Sequence, residues 1–337
     1  MLKKNNTSNS STLFDRTLAL ACLPVIYLII FITCLIGFKN TLSLGKFTGN
    51  LLYSFSRYRR NSIMYNLGLA YGNKLSKKEK IILSKKIAHN LGKNCAELAF
   101  CGGPLKKRVL KNISVEGIGN LDAALKSGKG VIAVSAHIGN YALIGTKLSM
   151  MGYTFVTVIR DLKTKAGSII YSKSRELIQL PAIPTLPEKH FYKNALKILR
   201  GNGILCLIAD EDKRHGGIFV NFFGRKASTA PGPAGLALRT GARIIPVFMV
   251  RNSDDSQKII IGEEIKLENT DNPEKNIKNI TAGFTAAIEN YVRTYPDQWP
   301  WMNFRWRTQP KGQARAIMRI SNKGLFKMIK RGIRKSF

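Results

Sequence analysis

The order of apolar and polar residues divides the chain into four segments, and the first is almost wholly apolar. Between Arg16 and Lys39 lie 22 residues without a charge. As a helix they would cover ~33 Å, about the thickness of the hydrocarbon core of a bilayer. Pro24 would kink this helix, which membrane helices tolerate, and the run lacks the cleavage site of a signal peptide. We expect residues 1–40 to form an N-terminal membrane helix, with a buried core helix as the alternative.

The charges that flank this run indicate its orientation. Basic residues are more numerous after the run than before it. Because the cytoplasmic flanks of membrane helices carry an excess of lysine and arginine, we expect the rest of the chain to lie in the cytoplasm.

The second segment, residues 41–113, shows the spacing of helices. Its clearest helix follows a capping-box pattern, with Ser76 before Glu79. The apolar positions of this stretch recur at helical spacing: Ile81, Ile82, Ala88, Leu91, Cys95 and Leu98. The Gly-Gly-Pro sequence at 102–104 predicts its end. His89 lies on this helix, and we expect it to be structural.

The third segment, residues 114–310, alternates short apolar runs with helix-like stretches. The runs at 131–136, 154–159, 204–210 and 244–250 are predicted to be buried strands. Apolar strands that alternate with helices indicate an α/β domain with a mostly parallel mixed sheet, flanked by helices on both faces. In such sheets ligands bind at the carboxyl ends of the strands, so the residues that follow each strand are the candidates for function.

The last segment, residues 311–337, contains nine Lys and Arg and no acid. Leu325, Met328, Ile329 and Ile333 fall at helical spacing within it. This pattern predicts a basic amphipathic tail that lies on an anionic membrane surface, with a solvated tail as the alternative.

Composition adds a strong positive charge to this picture. The chain has 54 Lys and Arg against 20 Asp and Glu, a net charge of +34. Its 45% hydrophobic and 22% charged residues fit a folded protein and exclude a disordered polycation. We expect an anionic partner: nucleic acid, a membrane surface or an acidic protein. The apolar N-terminal run and the absence of RNP, KH or zinc-finger motifs argue against nucleic acid.

The five cysteines give no sign of a disulfide framework or a metal site. Their number is odd, no CxxC pair occurs, and no cysteine and histidine set has zinc spacing. We therefore expect a reducing compartment, no structural disulfide and no bound metal.

A histidine follows the first predicted buried strand. In the sequence Ser135–Tyr141, His137 enters a turn that contains Gly139 and Asn140. A histidine at the end of a buried strand is well placed to act as a general base, and the alternative is a histidine that satisfies turn hydrogen bonds. The chain has no GxSxG elbow and no phosphate-binding glycine motif, which disfavours serine hydrolases, P-loop NTPases and Rossmann dehydrogenases.

Two further blocks follow strands. The acids 210–212 come directly after the strand at 204–210, with a solvated charge cluster as the alternative reading. Residues 219–234 join aromatic residues to Arg225, Lys226, Ser228 and Thr229. Backbone N–H groups of such a turn can bind a phosphate, while the aromatic side chains could lie against an acyl chain.

Four sequence blocks together carry a family resemblance. SAHIGN, the acids 210–212, the stretch GGIFVNFFGRKASTAPGPAGLALRTGARIIPVF and the closing WPWMNFRWRTQP resemble the bacterial lipid A late acyltransferases. These are lauroyl and myristoyl transferases of the lysophospholipid and glycerol-phosphate acyltransferase superfamily. The resemblance runs from the N-terminal segment to about residue 310 and includes YRRNSIMYNLGLAYG.

The resemblance implies a glycerol-phosphate-acyltransferase-like fold and an enzyme of the bacterial inner membrane that faces the cytoplasm. Such an enzyme takes an acyl chain from acyl-carrier protein or acyl-coenzyme A. It places the chain on a hydroxyl of an anionic membrane lipid, a lipid A precursor or a related glycolipid. No cofactor is expected.

The resemblance also implies roles for individual residues. His137 would remove the proton of the acceptor hydroxyl. The expected substrate-binding set is Asn140, Arg160, Arg175, Asp210, Asp212, Arg225, Ser228 and Thr229. The arginines would contact the lipid phosphate or the thioester, and the two aspartates would orient them. Each arginine could instead be an ordinary surface charge.

The chain departs from the family pattern at one position. The family signature has Asp or Glu five residues after the histidine, and that position is Ala142 here. Such an acid orients the imidazole, and its loss can cost on the order of 10⁴ in rate. Asp161 and the acids 210–212 are the nearest substitutes in sequence.

Three accounts of Ala142 stay open at this point. The alanine could be a deliberate knockout, it could mark a naturally impaired or non-catalytic lipid-binding relative, or the enzyme could be active with another partner for its base. An acyltransferase that acts on a different phospholipid or glycolipid is a further alternative.

Overall fold

The computed structural model describes residues 7–160, 162, 164–266 and 270–310. The predicted basic amphipathic tail, residues 311–337, lies outside the described residues.

The described part of the first 113 residues is mostly helical. Its elements are α1 (Thr7–Ile36), α2 (Phe38–Phe55), α3 (Arg57–Tyr71), a 3₁₀ turn (Gly72–Lys74), α4 (Lys77–Cys101) and α5 (Lys106–Lys111). The capping box predicted for α4 is present, because the Ser76 hydroxyl accepts from the Glu79 N–H and the Glu79 carboxylate accepts from the Ser76 N–H. The helix ends at Cys101, directly before the predicted Gly-Gly-Pro break.

Strands and helices alternate in the remainder of the described chain. The elements are β1 (Ser114–Glu116), α6 (Ile118–Leu125), β2 (Val131–Ser135), α7 (Ala142–Met150), β3 (Phe155–Ile159), α8 (Lys165–Ile178), β4 (Ala182–Pro184), α9 (Glu188–Arg200), β5 (Ile204–Ile208), β6 (Ile218–Phe222), β7 (Arg225–Thr229), α10 (Gly232–Thr240), β8 (Arg243–Arg251), β9 (Gln257–Ile261), α11 (Pro273–Thr294) and a 3₁₀ turn (Pro296–Gln298).

Seven of the described strands form one sheet, in the order β1-β9-β8-β2-β5-β3-β4. Neighbours run parallel except β8 and β9, which are antiparallel. This is the mostly parallel mixed sheet that the apolar runs predict. β2 pairs in parallel with both β5 and β8, and Ser135 at its end faces Ile208 at the end of β5. The chain segments that leave β2 and β5 therefore emerge side by side.

Both faces of this sheet are covered, since the central strands are apolar throughout. Ile132 and Val134 of β2 belong to a core shared with α3, α9, α10 and α11. Val131 and Ala133 point to the other face and pack with α5, α6 and α7. Burial of each large apolar side chain contributes ~1.5–3 kcal/mol, so the position of β2 is firmly fixed before any polar group is considered.

β6 and β7 form a separate antiparallel hairpin with Phe223 and Gly224 at its tip. Phe222 and Phe223 are buried and contact the rings of Trp299, Trp301 and Trp306. The expectation that these aromatic residues lie against an acyl chain is therefore wrong for Phe222 and Phe223, because they fill the protein core.

α1 packs one side against α2, α4 and α8, and Ile30 and Thr33 are buried there. Across the residues whose position and side chain the structure describes, no helix combines the length and the apolar content that are needed to cross a membrane. The membrane-spanning helix predicted for residues 1–40 is therefore not supported.

α2 crosses α4 where both helices carry glycine. A Cβ added at Gly92 of α4 would overlap the carbonyl oxygen of Gly45, and one added at Gly49 would overlap the carbonyl oxygen of Ala88. The two backbones can approach this closely only because no side chain separates them. The crossing sets the position of α4, which contributes several side chains to the site described below.

This crossing predicts the effect of a single methyl group. Gly92→Ala should lower the free energy of unfolding by ~1–3 kcal/mol, because the backbone of α2 would have to move away. Gly68→Ala is the matched control, since nothing lies within 4 Å of a Cβ at that helical position. Alanine there should stabilise the protein by up to ~1 kcal/mol through its higher helix propensity. Urea unfolding followed by circular dichroism compares the two variants, and equal stability of Gly92→Ala and the wild type would contradict the prediction.

Candidate active site

The site begins with the turn that follows β2. This turn, residues 136–141, carries His137 and then Gly139, whose φ of 56° is favoured by glycine. A Cβ at Gly139 would also overlap the carbonyl oxygen of Met249 on β8. Glycine is therefore needed at this position, because it lets the chain turn tightly against the end of β8.

Asp210 meets His137 from the end of the neighbouring strand. It lies two residues beyond β5, where the Ala209 N–H donates to the carbonyl oxygen of Ser135. The Asp210 Oδ1 lies 2.8 Å from the His137 Nδ1, and its Oδ2 accepts the His137 backbone N–H at 3.0 Å. The indole N–H of Trp299 donates to the same Oδ2 at 2.7 Å. One buried carboxylate thus accepts three hydrogen bonds, two from His137 and one from Trp299.

The electrostatics of this pair determine which nitrogen of the imidazole carries the proton and how its pKa is shifted. Burial raises the pKa of Asp210, but the charge of His137 and three hydrogen bonds outweigh it, and the net pKa lies below its ordinary value. Burial lowers the pKa of His137, and the charge of Asp210 and its hydrogen bond reverse this effect, which raises that pKa to about 8. An ionised carboxylate only accepts, so Nδ1 carries the proton and donates. In the neutral imidazole, Nε2 is then the nitrogen with the free electron pair.

His137 remains accessible although Asp210 does not. The His137 side chain is 23% exposed and the Asp210 side chain 1%. Its ring packs edge-on against Tyr141, with 4.8 Å between ring centroids. A histidine whose Nδ1 is bonded to a buried acid and whose side chain is partly exposed can exchange a proton with a bound molecule.

Ala142 begins α7 directly after this turn, and it carries no group that could orient the imidazole. The place of an orienting acid at Nδ1 is filled by Asp210 instead. Asp161, the other substitute considered from the sequence, lies outside the described residues.

Three of the residues predicted to bind substrate are buried and bonded within the protein. The Asn140 amide donates to Glu97 Oε2 at 2.7 Å. The Ser228 hydroxyl donates to the carbonyl oxygen of Lys213, and the Thr229 hydroxyl accepts from Arg305. All three are 3% exposed or less, so their side chains hold loops together.

Asp212 and Arg225 also have partners away from His137. Asp212 accepts the N–H and the hydroxyl of Thr308 in the closing segment. Arg225 is exposed at the start of β7 and donates to the carbonyl oxygen of Leu69 at 2.8 Å. The described hydrogen bonds of these two residues therefore lead to Thr308 and Leu69 and not to His137.

Arg160 and Arg175 remain candidates for an anionic ligand. Arg160 is exposed at the end of β3. The Arg175 guanidinium lies 4.7 Å from the centroid of the Tyr171 ring, and its Nη1 is buried with no hydrogen-bond partner in the described part of the chain. Tyr171 is in turn close enough to Tyr141 to affect its pKa, which burial and then Tyr171 raise.

Two basic residues that the sequence did not single out are integral to the site. Arg305 is 1% exposed and donates to the carbonyl oxygens of Glu211 and Ser228. Burial lowers its pKa to about 10, although Asp210 and Asp212 oppose the shift. Arg251 ends β8 and pairs with buried Glu97 on α4 at 2.9 Å.

The sequence contained signals for these buried charges. Glu97 falls in register with the buried positions of α4, three residues after Asn94 and three before Phe100. In the sequence Arg251 directly follows the apolar run at 244–250, and Arg305 lies between Trp301 and Trp306. Within the described residues, no group of three or more His, Cys, Asp or Glu is placed to hold a metal ion.

Comparison with known sequences shows which family this chain belongs to. The model of the bacterial lipid A biosynthesis acyltransferase family matches residues 15–308. The chain belongs to this family. It is therefore an acyltransferase, and the resemblance inferred from the motifs is confirmed.

Similar proteins include acyltransferases that are named for phosphatidylinositol mannoside and for lipid A biosynthesis. The phosphatidylinositol mannoside acyltransferase of Mycolicibacterium smegmatis is 27% identical over 210 residues, which are 62% of this chain and 67% of that protein. Its namesake from Mycobacterium tuberculosis is 33% identical over 133 residues, 39% of this chain and 42% of that protein. The lipid A biosynthesis palmitoleoyltransferase of Escherichia coli is 23% identical over 274 residues, 80% of this chain and 86% of that protein.

The His137–Asp210 pair of this acyltransferase predicts an unusual titration. In protein labelled with ¹⁵N-histidine, His137 should titrate with a midpoint of about 8. Asp210→Asn should bring the midpoint toward or below the ordinary value of 6.5, because burial would then lack the opposing carboxylate. Asp212→Asn is the matched control and should leave the midpoint near 8, since Asp212 bonds Thr308. An unchanged midpoint in Asp210→Asn would show that the two side chains do not interact.

Proposed function

We propose that this acyltransferase moves a fatty acyl chain from a thioester to a hydroxyl of a glycolipid, with His137 as general base and Asp210 as its orienting acid. The observation that carries the proposal is the buried Asp210 carboxylate, which bonds both the Nδ1 and the backbone N–H of His137. This arrangement leaves Nε2 as the basic atom of a partly exposed side chain.

The reaction then needs no covalent enzyme intermediate. Nε2 accepts the proton of the acceptor hydroxyl as its oxygen attacks the carbonyl carbon of the thioester. The tetrahedral intermediate collapses with cleavage of the C–S bond, and the imidazolium returns the proton to the leaving thiolate. The products are an ester and a free thiol, so protons and electrons balance without a metal or a cofactor. Asp210 stabilises the imidazolium while it exists.

The same arrangement bears on Ala142. An acid at that position would serve an imidazole whose Nδ1 is free, whereas the Nδ1 of His137 is already bonded to Asp210. We infer that the chain is an active enzyme whose base uses a partner from the next strand. The non-catalytic lipid-binding relative is the alternative that the activity assay below would reveal.

The donor and the acceptor are proposed by chemical class. One relative is named for phosphatidylinositol mannoside and another for lipid A biosynthesis. Both lipids are anionic glycolipids, and a chain with a net charge of +34 is suited to them electrostatically. Arg160 and Arg175, near the ends of β3 and α8, are the side chains we assign to the anionic part of the substrates. The donor would be acyl-carrier protein or acyl-coenzyme A, and both carry negative charge.

Acyl transfer from a labelled thioester to a purified glycolipid tests the dyad. His137→Ala should lower kcat/KM by ~10²- to 10⁴-fold, and Asp210→Asn by up to ~10⁴-fold. In the wild type kcat/KM should rise with pH through about 8, because only the neutral imidazole accepts a proton. Ala142→Glu, compared with Ala142→Gln, should change the rate less than threefold.

Two results would overturn this assignment. An inactive wild type that Ala142→Glu restores would show that the base needs an acid at position 142. Lipid binding without transfer in both proteins would favour the non-catalytic relative.

We also propose that the enzyme works on the cytoplasmic surface of the bacterial inner membrane. Support comes from a surface of α1 and α2 on which large apolar side chains stay exposed: Leu20, Leu28, Phe31, Leu35, Phe47, Leu52 and Phe55. Patches of this kind on soluble surfaces mark interaction sites, and basic Lys39 and Lys46 lie on α2 beside it. A helix that rests on lipid in this way needs no membrane-spanning segment.

Sedimentation with anionic phospholipid vesicles tests the membrane proposal. Replacement of Phe47 and Phe55 by Asp should reduce vesicle binding at least ~10-fold. Two aromatic side chains would no longer insert into the lipid surface, and two negative charges would be added. Tyr192→Asp is the control, because Tyr192 is an exposed aromatic residue of α9. α9 covers one face of the sheet, whereas α8, against which α1 packs, covers the other. Equal binding by the double variant and the control would refute the assignment of this surface.

A further inference from the structure

The turn that carries His137 is held by its backbone at Gly139. The Gly139 N–H donates to the carbonyl oxygen of Gln298 at 3.0 Å, and its carbonyl oxygen accepts from the Asn94 amide at 2.8 Å. Asn94 belongs to α4 and Gln298 to the closing 3₁₀ turn. The central residue of the turn is therefore tied to two elements outside the sheet.

Both ties lead back to one buried ion pair. Arg251 donates from Nη2 to Asn94 Oδ1 at 2.9 Å, which turns the Asn94 amide nitrogen toward Gly139. The Gln298 side chain accepts the Arg251 backbone N–H and donates to the Arg251 carbonyl oxygen, each at 2.7 Å. The Arg251 guanidinium is in turn paired with Glu97.

Glu97 also reaches the turn directly. Its Oε2 accepts from the Asn140 amide at 2.7 Å and from Arg251 at 2.9 Å, and it receives Gln257 as a third donor. The side chains of Glu97 and Arg251 are 0% and 4% exposed. One carboxylate oxygen thus joins α4, the turn, the end of β8 and the start of β9.

This cluster is poorly suited to a role in stability alone. Buried ion pairs often stabilise less than apolar side chains of the same volume, since both charges lose their hydration. The pair here is also incompletely satisfied within the described chain, because Glu97 Oε1, Arg251 Nε and Gln257 Oε1 are buried without partners. What the cluster does provide is directional contact with two consecutive residues of the turn.

We propose that Glu97 is a positioning residue for the general base, acting through Asn140 and Arg251 to hold the 136–141 turn so that both the imidazole and the backbone N–H of His137 face Asp210. The inference deepens the proposed function and rests on it. It also explains how a turn that is followed by Ala142 is held without an acid at that position, because the acid comes from α4. Glu97 touches neither His137 nor the reacting atoms.

Glu97→Gln is the principal test. It keeps the size and one carbonyl oxygen but removes the charge that faces Arg251. We expect kcat to fall ~10- to 100-fold while the KM for the thioester changes less than ~threefold, because misplacement of a catalytic group affects chemistry more than binding. Lys93→Met is the matched control, since Lys93 forms another ion pair from α4, with Asp255 at 2.5 Å, and should leave both constants unchanged.

A spectroscopic readout separates positioning from a merely structural role. The Nδ1–H proton of His137 can be followed in protein labelled with ¹⁵N-histidine and assigned among the four histidines by its loss in His137→Ala. In Glu97→Gln this resonance should shift and exchange faster with water, and the His137 midpoint should fall from about 8. A folded Glu97→Gln protein with wild-type kcat and an unchanged resonance would overturn the proposal.

Asn140→Ala keeps the test decisive if Glu97→Gln does not fold. It removes the direct link to the turn but leaves the Glu97–Arg251 pair intact. The same loss of kcat and the same change at His137 are expected, and wild-type behaviour would overturn the proposal. If the wild type transfers no acyl chain, the proposed function fails, whereas the histidine resonance still decides whether Glu97 positions the turn.

Discussion

The arrangement of the site depends on one buried negative charge, the Asp210 carboxylate. A carboxylate removed from water is strongly unfavourable unless donors replace its hydration. Here the donors come from the turn after β2 and from Trp299 of the closing segment. Because the charge must be satisfied, it brings these separate segments to the end of β5. The same contacts that make the burial tolerable also orient His137.

The origin of this acid follows from the topology of the sheet. β2 and β5 are parallel neighbours although two strands lie between them in sequence. The residues just beyond the two strands therefore lie within hydrogen-bonding reach, and an acid after β5 can serve a histidine after β2. An acid at the start of the helix that follows the turn, the position of Ala142, is one way to orient the imidazole. An acid just beyond the adjacent strand is another, and this is the arrangement of Asp210 and His137 here.

The parts of this picture that the sequence predicts are those set by local pattern. The strands around 131–136, 204–210 and 244–250 are apolar on both faces, which is the pattern of a covered parallel sheet, and the capping box at Ser76 is a purely local signal. His137 and the acids after β5 could be found because they follow such strands. Their pairing could not, since it depends on the strand order.

Longer-range contacts account for the differences between the expectations and the structure. Ser228, Thr229 and Asn140 are polar residues in glycine-containing turns, and from the sequence they resemble ligand contacts. In the structure their partners are Lys213, Arg305 and Glu97, all far away in sequence or in other elements. The apolar run near the N-terminus was expected to span a membrane on hydropathy alone, yet one side of α1 packs against α4 and α8. Residues whose partners are distant are assigned by default to solvent, ligand or lipid.

Two of the few acids of this chain lie beside the turn that carries His137. The chain has only 20 acidic residues, yet two of them, Asp210 and Glu97, are almost completely buried on either side of the same turn. Asp210 bonds its first half at His137, and Glu97 bonds its second half through Asn140. A turn fixed by charges from both sides has little freedom to reorganise when a proton moves to the imidazole. Electrostatic stabilisation by groups that are already in place is the most effective form in enzymes, since no energy is spent on their reorientation during the reaction. In the proposed mechanism the two buried acids therefore serve one requirement, which is a histidine whose surroundings stay fixed as its charge changes.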